Sequence, residues 1–546
     1  METHKVLNQS PVFENIDLFN TNKYLKRLSS QFKLEAMHPS FSKYGSTIGN
    51  GEWIRKAKLA NDNSPKFHSH DIKGNRIDYV EFHPAYHDFM ELAISNDVHA
   101  LPWVSKMENA QMARFILNYL DNQGESGTSC PITMTYSAAP VLSKHFPMAD
   151  EWIPKIVNNI YDSSNQPYFD KKGLTIGMAM TEKQGGSDVR ANTTYAIPAE
   201  NDKRDAGDVY YITGHKWFCS APMCDGFLTL AQTEKGLSCF LFPRWKPDGV
   251  KNDFRIQRLK DKLGNRSNAS CEIEFDGAFA WLLGVEGRGV ATIIEMVSLT
   301  RYDCMIGSSA IKTRSLSEVV HHIKHRSSFG KKLINQPLMQ NVVADLYLET
   351  EASFYMSARV AQSLENQDKE EERQLLRLLT PVGKYWLTKR AVNFVGEAME
   401  CMGGNGYIED SIFPRYYRET PVNAIWEGSG NVQCLDLLRA LKKSPAIRDI
   451  LIHQLRQQKG KVGMYDTFIE NCITHVRNPE VKEIHARIVV SEIALALQAA
   501  MMLENSDAAV AEAFCLSRLD NKLGFQFGCI ADKQQVNQII EWNESE

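Results

Sequence analysis

The chain has 546 residues, with 62 basic against 66 acidic side chains and a formal net charge of −4 at pH 7. At about 150 residues per domain this is too long for one core, so three or four structural units are expected. The near balance of charge argues against a protein coated in nucleic acid or spread over a membrane, although a local basic patch stays possible.

The opening METHKVLNQSPVFENIDLF lacks the basic start and unbroken apolar run of a signal peptide, so a soluble chain is expected. Apolar residues then recur at three and four in HPAYHDFMELAIS and NAQMARFILNYLDN, which predicts helices. PKFHSHDIKGNRIDYVEFHP interrupts them with two extended runs around Lys73-Gly74-Asn75, the pattern of a β-hairpin. From about Leu174 to Leu283 the runs DVYYITGHKWF, FLTLAQT, LSCFLFPR and CEIEF predict short strands of a compact barrel or sandwich. After Gly289 the helical period returns and persists to the C-terminus. IVVSEIALALQAAMML is broken by Glu492 and Gln498 and reads as a buried helix. The expected class is mainly α with a central β-domain. The expected divisions are a helical domain over 1–172, a β-barrel over 173–286, a helix bundle over 287–441 and an extra helical domain over 442–546. The last boundary rests on Lys442-Lys443-Ser444-Pro445, because the residue before proline disfavours helix.

The 11 cysteines are scattered and read as reduced, packed side chains, so a reducing, cytoplasmic compartment is expected. His321, His322 and His325 form the one histidine cluster, without the glutamate of HExxH, so no metal is expected. Charge is uneven near the C-terminus. Arg439, Lys442, Lys443, Arg448, Arg456, Lys459 and Lys461 stand against a single acid, Asp449, which makes this segment a candidate anion-binding strip.

Neither GxGxxG after a strand nor GxxxxGK[ST] is present. Three glycine-containing stretches remain, TEKQGGSD, ECMGGNGY and WEGSGN. Glycine permits close backbone approach to a ligand, and the last stretch holds a carboxylate, Glu427, that desolvation can turn into a base.

MAMTEKQGGSDV, GHKWFCS, HRSSFGKKLINQPL, AMECMGGNGY and AIWEGSGN, in that order, resemble the acyl-CoA dehydrogenase family. CPITMTYSAAP, RLKDKLGNRSNASCEIEF, FHPAYH and the C-terminal extension are similar to its AidB branch, the alkylation-response flavoproteins. The resemblance covers nearly the whole chain and implies FAD as cofactor. It assigns Met180, Thr181, Gly186 and Ser187 to flavin or pyrophosphate and Ser220 to the flavin ring. Phe218 stands where the family places a tryptophan. Trp217, also counted with the flavin contacts, should point to the opposite face of its strand. Arg326, Phe329 and Gln336 would reach the diphosphate and adenine of a neighbouring subunit's cofactor, with Gly403 and Gly404 close by, and Ser429 and Asn431 would complete the site. A shared cofactor implies a tetramer. Glu427 would be the catalytic base and Arg301 would help hold an acyl-CoA, with an electron-transferring flavoprotein as possible acceptor. The branch further implies duplex DNA on the Arg439–Lys461 strip and protection from alkylation. The alternatives are a conventional acyl-CoA dehydrogenase without DNA binding and a low-turnover acyl-CoA sensor.

Overall fold

The computed structural model describes residues 3–478, 481–520 and 526–545. The chain divides into two compact units, one of Glu52–Ala110 and Gly124–Asp303, the other of Met1–Gly51, Gln111–Gln123 and Cys304–Glu546.

The first of these carries nine of the strands among the described residues. β1 (Lys66–His70) and β2 (Arg76–Glu81) form the expected antiparallel hairpin, with Phe67 opposite Val80. Its turn is set by Asp71, whose carboxylate accepts the N–H groups of Lys73 and Asn75, and by Gly74 at φ +85°. Seven further strands make one sheet: β3 (Ile176–Ala179), β4 (Tyr195–Pro198), β5 (Val209–Ser220), β6 (Gly226–Thr233), β7 (Gly236–Pro243), β8 (Phe254–Leu259) and β9 (Ser270–Leu283). β6 pairs with both β4 and β7, and β9 with both β5 and β7. The five therefore close into a ring, a small barrel without free edges among them. β3 extends it beside β6, and β8 beside β9. Alternation explains the interior: on β8, Phe254 and Ile256 are buried while Arg255 is exposed. Trp152 stacks on Tyr168 with ring centroids 4.4 Å apart and meets Trp281 edge-on, plugging one side of the barrel with aromatic rings.

Among the described residues the second unit is helical apart from β10 (Ser327–Ser328) and β11 (Lys331–Lys332). The helix Gly289–His325 begins in the barrel unit, and its later part belongs here with Pro337–Glu365, Glu370–Cys401 and Phe413–Asn423. Ile311, Leu316, Val319, Ile323, Val343, Leu346, Phe394, Val395 and Phe413 form one buried cluster among them. The helix Gly430–Lys443 stops at Ser444, and Pro445 opens the next, with the Ser444 hydroxyl accepting the N–H of Ile447. The apolar stretch expected to be a buried helix is one, Ala486–Asn505, with Val490, Ile493, Ala494 and Leu497 in the interior. Its Gln498 accepts a hydrogen bond from the Trp386 indole at 2.8 Å. Ten of the cysteines are buried and Cys529 is exposed, all as free thiols.

Candidate active site

In the barrel unit the glycine-rich stretch leaves β3 and crosses to β5. Trp217 donates its backbone N–H to the carbonyl of Thr181 at 2.7 Å, and Asn192 donates its side-chain amide to Met180 at 3.0 Å. Between them lies a pair that sequence reasoning did not pick out. Lys216 and Glu182 meet at 2.8 Å with neither side chain exposed. The same carboxylate accepts the N–H of Thr193 at 2.7 Å. Burial pushes the Glu182 carboxyl up, but the Lys216 ammonium and these N–H groups pull harder and hold it at about 2. Its sequence signal was a lysine at an inward position of a strand.

The same strand overturns one expectation. Lys216 faces Ile273 of β9 and Cys219 faces Cys271, so three residue steps on β5 oppose two on β9, a β-bulge at Trp217 and Phe218. A bulge breaks the alternation of faces. Trp217 and Phe218 are therefore not on opposite sides: both rings flank the Lys260 ammonium, at 3.2 and 4.8 Å from their centroids. Glu272 holds that ammonium at 2.6 Å. Phe218 is 46% exposed although it lies on a barrel strand. Two residues on, the hydroxyl of half-buried Ser220 meets that of Ser270 at 3.0 Å. Gly186 and Ser187 are exposed, and no atom lies within 4 Å of where a Cβ on Gly185 would stand.

In the helical unit Glu427 has φ +57° and Gly428 φ +93°. The left-handed region suits glycine and strains a glutamate. Two side chains brace this loop. Buried Lys384, within the helix Glu370–Cys401, donates to the carbonyls of Trp426 and Gly428, each at 2.6 Å. Gln433 donates to the carbonyls of Glu427 and Gly428 at 3.0 and 2.9 Å. Both were missed in the sequence; the cue for Lys384 is a lysine inside the apolar run TPVGKYWL. Ser429 is the N-cap residue of Gly430–Lys443, and Asn431 accepts from Arg487 at 2.8 Å.

Phe329 and Gly330, at φ +50° and +75°, form the two-residue turn between β10 and β11, with the Phe329 ring 98% exposed. Gln336 donates to the Ser328 carbonyl at 2.9 Å. Arg326 donates to the carbonyl of Asn8, while Ser10 and Pro11 engage His322 and His321 at 2.8 Å each. The histidine cluster thus anchors the N-terminal segment. Gly403, at φ +62°, and Gly404 have open space where a Cβ would stand. Arg301 is buried on the helix Gly289–His325. Arg439, Lys442 and Lys443 are exposed; Arg448 donates to the Leu441 carbonyl, Lys461 to that of Leu503, and Arg456 and Lys459 share Glu470.

Within the barrel unit the residues fit a flavin. The exposed Phe218 ring and the Ser220 hydroxyl suit a flat polar ring system, and the open turn at Gly185 suits a phosphate that must approach backbone closely. Comparison with known proteins agrees. Residues 8–163 match the AidB N-terminal domain, 177–278 the acyl-CoA dehydrogenase middle domain and 287–442 its C-terminal domain. Barrel, bundle and matches together define an FAD-dependent oxidoreductase of the acyl-CoA dehydrogenase class. Within that class the chain belongs to the AidB family. It is 40% identical to the putative acyl-CoA dehydrogenase AidB of Escherichia coli K12, over 96% of each chain. It is 31% identical to the acyl-CoA dehydrogenase family member 11 of Caenorhabditis elegans, over 77% of this chain and 69% of that one. The crystal structure of Caenorhabditis elegans ACDH-11 in complex with C11-CoA superimposes with a TM-score of 0.83 at 24% identity, covering 100% of this chain and 94% of that one.

Proposed function

We propose that this chain oxidises the α,β bond of an acyl-CoA with Glu427 as base, and that its C-terminal extension brings the flavoprotein to duplex DNA in the response to alkylation damage. The observation that carries the catalytic half is Glu427 itself, a carboxylate held at a left-handed backbone position by two side chains that serve the loop. Such strain persists where the surrounding structure imposes it, and functional sites are where it collects.

A thioester α-carbon is weakly acidic, so its proton leaves only as charge on the thioester oxygen is stabilised. Glu427 takes that proton, and its own backbone N–H meets the oxygen. FAD, when bound, supplies the acceptor for the hydride leaving the β-carbon, and the products are the enoyl thioester and reduced flavin. Met180, Thr181, Gly186, Ser187, Phe218 and Ser220 would hold the flavin end. Arg326, Phe329, Gln336, Gly403 and Gly404 would hold the diphosphate and adenine of a neighbouring subunit's cofactor in a tetramer. Arg326 suits the diphosphate because its planar fork matches phosphate oxygens. Arg301 would steady the acyl-CoA, electrons would pass to an electron-transferring flavoprotein, and the setting would be the cytoplasm.

The catalytic test is Glu427→Gln on the FAD-loaded protein, mixed with a panel of acyl-CoA thioesters that includes C11-CoA. Bleaching of the oxidised flavin by any thioester should disappear while the yellow protein stays folded; bleaching at the wild-type rate would overturn the role of Glu427. For DNA, the exposed Arg439, Lys442 and Lys443 support the reading, and a gel shift at low salt tests it. The shift should weaken log-linearly with salt, because phosphate contacts release counterions. Absence of any shift at low salt would remove the DNA half and leave the dehydrogenase.

A further inference from the structure

Resting on Glu427 as the base, we propose that Lys384 is a positioning residue that orients and polarises the peptide between Trp426 and Glu427, so that this peptide's N–H meets the thioester oxygen. The carbonyl oxygen of Trp426 and the N–H of Glu427 belong to one planar unit. In a trans peptide they point in opposite directions. The Lys384 ammonium, 2.6 Å from that oxygen, therefore fixes where the N–H points. It also draws charge along the peptide: a hydrogen bond on a carbonyl strengthens the donor at the other end of the same amide, by roughly 10–30% for chains in condensed phase.

The arrangement around it argues for this role rather than simple packing. Lys384 is 1% exposed, and its ammonium also reaches the Gly428 carbonyl at 2.6 Å. Gln433 caps the carbonyls of Glu427 and Gly428. Three consecutive carbonyls, 426 to 428, are thereby held by two side chains, and the strained φ of +57° at Glu427 is locked between them. Gln433 does its share with a neutral amide. A charged donor on the Trp426 carbonyl makes a shorter and stronger hydrogen bond than a neutral amide would, and so polarises that peptide more.

The test separates ligands with and without the thioester oxygen. It is made by calorimetry on FAD-loaded protein in the Glu427→Gln background, where no proton is removed and bound ligand stays intact. The probes are C11-CoA and the S-undecyl thioether of CoA, alike in length but lacking the carbonyl in the second case. Losing an oxyanion donor costs about 100- to 1,000-fold in rate, and for a ground-state carbonyl the expected loss is about tenfold. Adding Lys384→Met should weaken C11-CoA by that factor and leave the thioether within about twofold. Lys384→Gln, which keeps an N–H donor without the charge, should fall between, and it carries the test if the methionine variant does not fold. Equal weakening of both ligands would assign Lys384 a structural role and overturn the proposal, as would no weakening of either. The parent reading fails separately: if Glu427→Gln alone still bleaches flavin with a thioester, the base lies elsewhere whatever Lys384 does.

Discussion

The Lys216 ammonium lies 2.8 Å from the Glu182 carboxylate, and both side chains are sealed from solvent. Lys216 also donates to the Leu230 carbonyl at 2.7 Å, so one cation ties three pieces of chain together: the glycine-rich stretch, β5 and β6. The stretch contains Thr181, Gly186 and Ser187, and its course is fixed from below by this pair.

Replacing Glu182 by Gln should therefore do two things. It leaves the Lys216 ammonium buried without its counter-charge, and breaking a buried pair of this kind costs about 3–5 kcal/mol. The melting temperature should drop, and FAD should bind more weakly because its loop is released. The acid sensitivity should change as well. A carboxyl held at about 2 when folded, against 4.5 in a free chain, stabilises the fold above about pH 4.5 and loses that contribution as pH falls toward 2. Denaturant titrations across that window should show a shallower pH slope for Glu182→Gln. Equal slopes in the two proteins would mean that Glu182 does not titrate this way.

Much of this architecture was legible in the sequence, and the remainder was hidden for physical reasons. The hairpin around Lys73-Gly74-Asn75 and the break at Ser444-Pro445 were readable because turn and cap residues act locally. The barrel strands were readable because alternation and β-branched composition survive in one dimension. The bulge at Trp217 and Phe218 was not, since an extra residue on one strand leaves no mark until its partner's register is known. Nor was the partner of Arg326, because the carbonyl of Asn8 lies some three hundred positions away in the chain and any residue could supply one. Glu427 stood out through the motif around it. Lys384 did not, since its role depends on a loop more than forty positions along the chain. Gln433, although close to Glu427 in sequence, did not because the turn that brings the loop carbonyls to its amide leaves no mark in one dimension.

The bulge itself makes a prediction. Phe218 is on the sheet yet 46% exposed, so its ring contributes little burial to the barrel. Phe218→Ala should leave the melting temperature nearly unchanged. If the ring borders the flavin, the variant should lose roughly 0.5–1.5 kcal/mol of stacking, which is about a two- to tenfold rise in the FAD dissociation constant. Flavin fluorescence quenching measures this directly. A large fall in stability with unaltered FAD affinity would make Phe218 a structural residue of the barrel instead.

The basic strip is less free than its sequence implies, and that makes it testable. Glu470 sits 2.7 Å from Lys459 and 3.6 Å from Arg456, neutralising part of the segment, while Arg439, Lys442 and Lys443 remain exposed. Surface pairs of this kind are worth little and dissolve readily. Glu470→Gln should therefore hardly alter folding but release two cations. If the strip contacts phosphates, each released cation that gains one steepens the slope of log affinity against log salt by about 0.9. Duplex DNA should then bind more tightly at low salt and more salt-sensitively to Glu470→Gln than to the wild type. Neutralising Arg439, Lys442 and Lys443 together should move both quantities the other way. Opposite shifts from two substitutions on the same strip would locate the footprint there, because general damage to the fold weakens binding in both variants. No change in either would place any DNA contact elsewhere on the molecule.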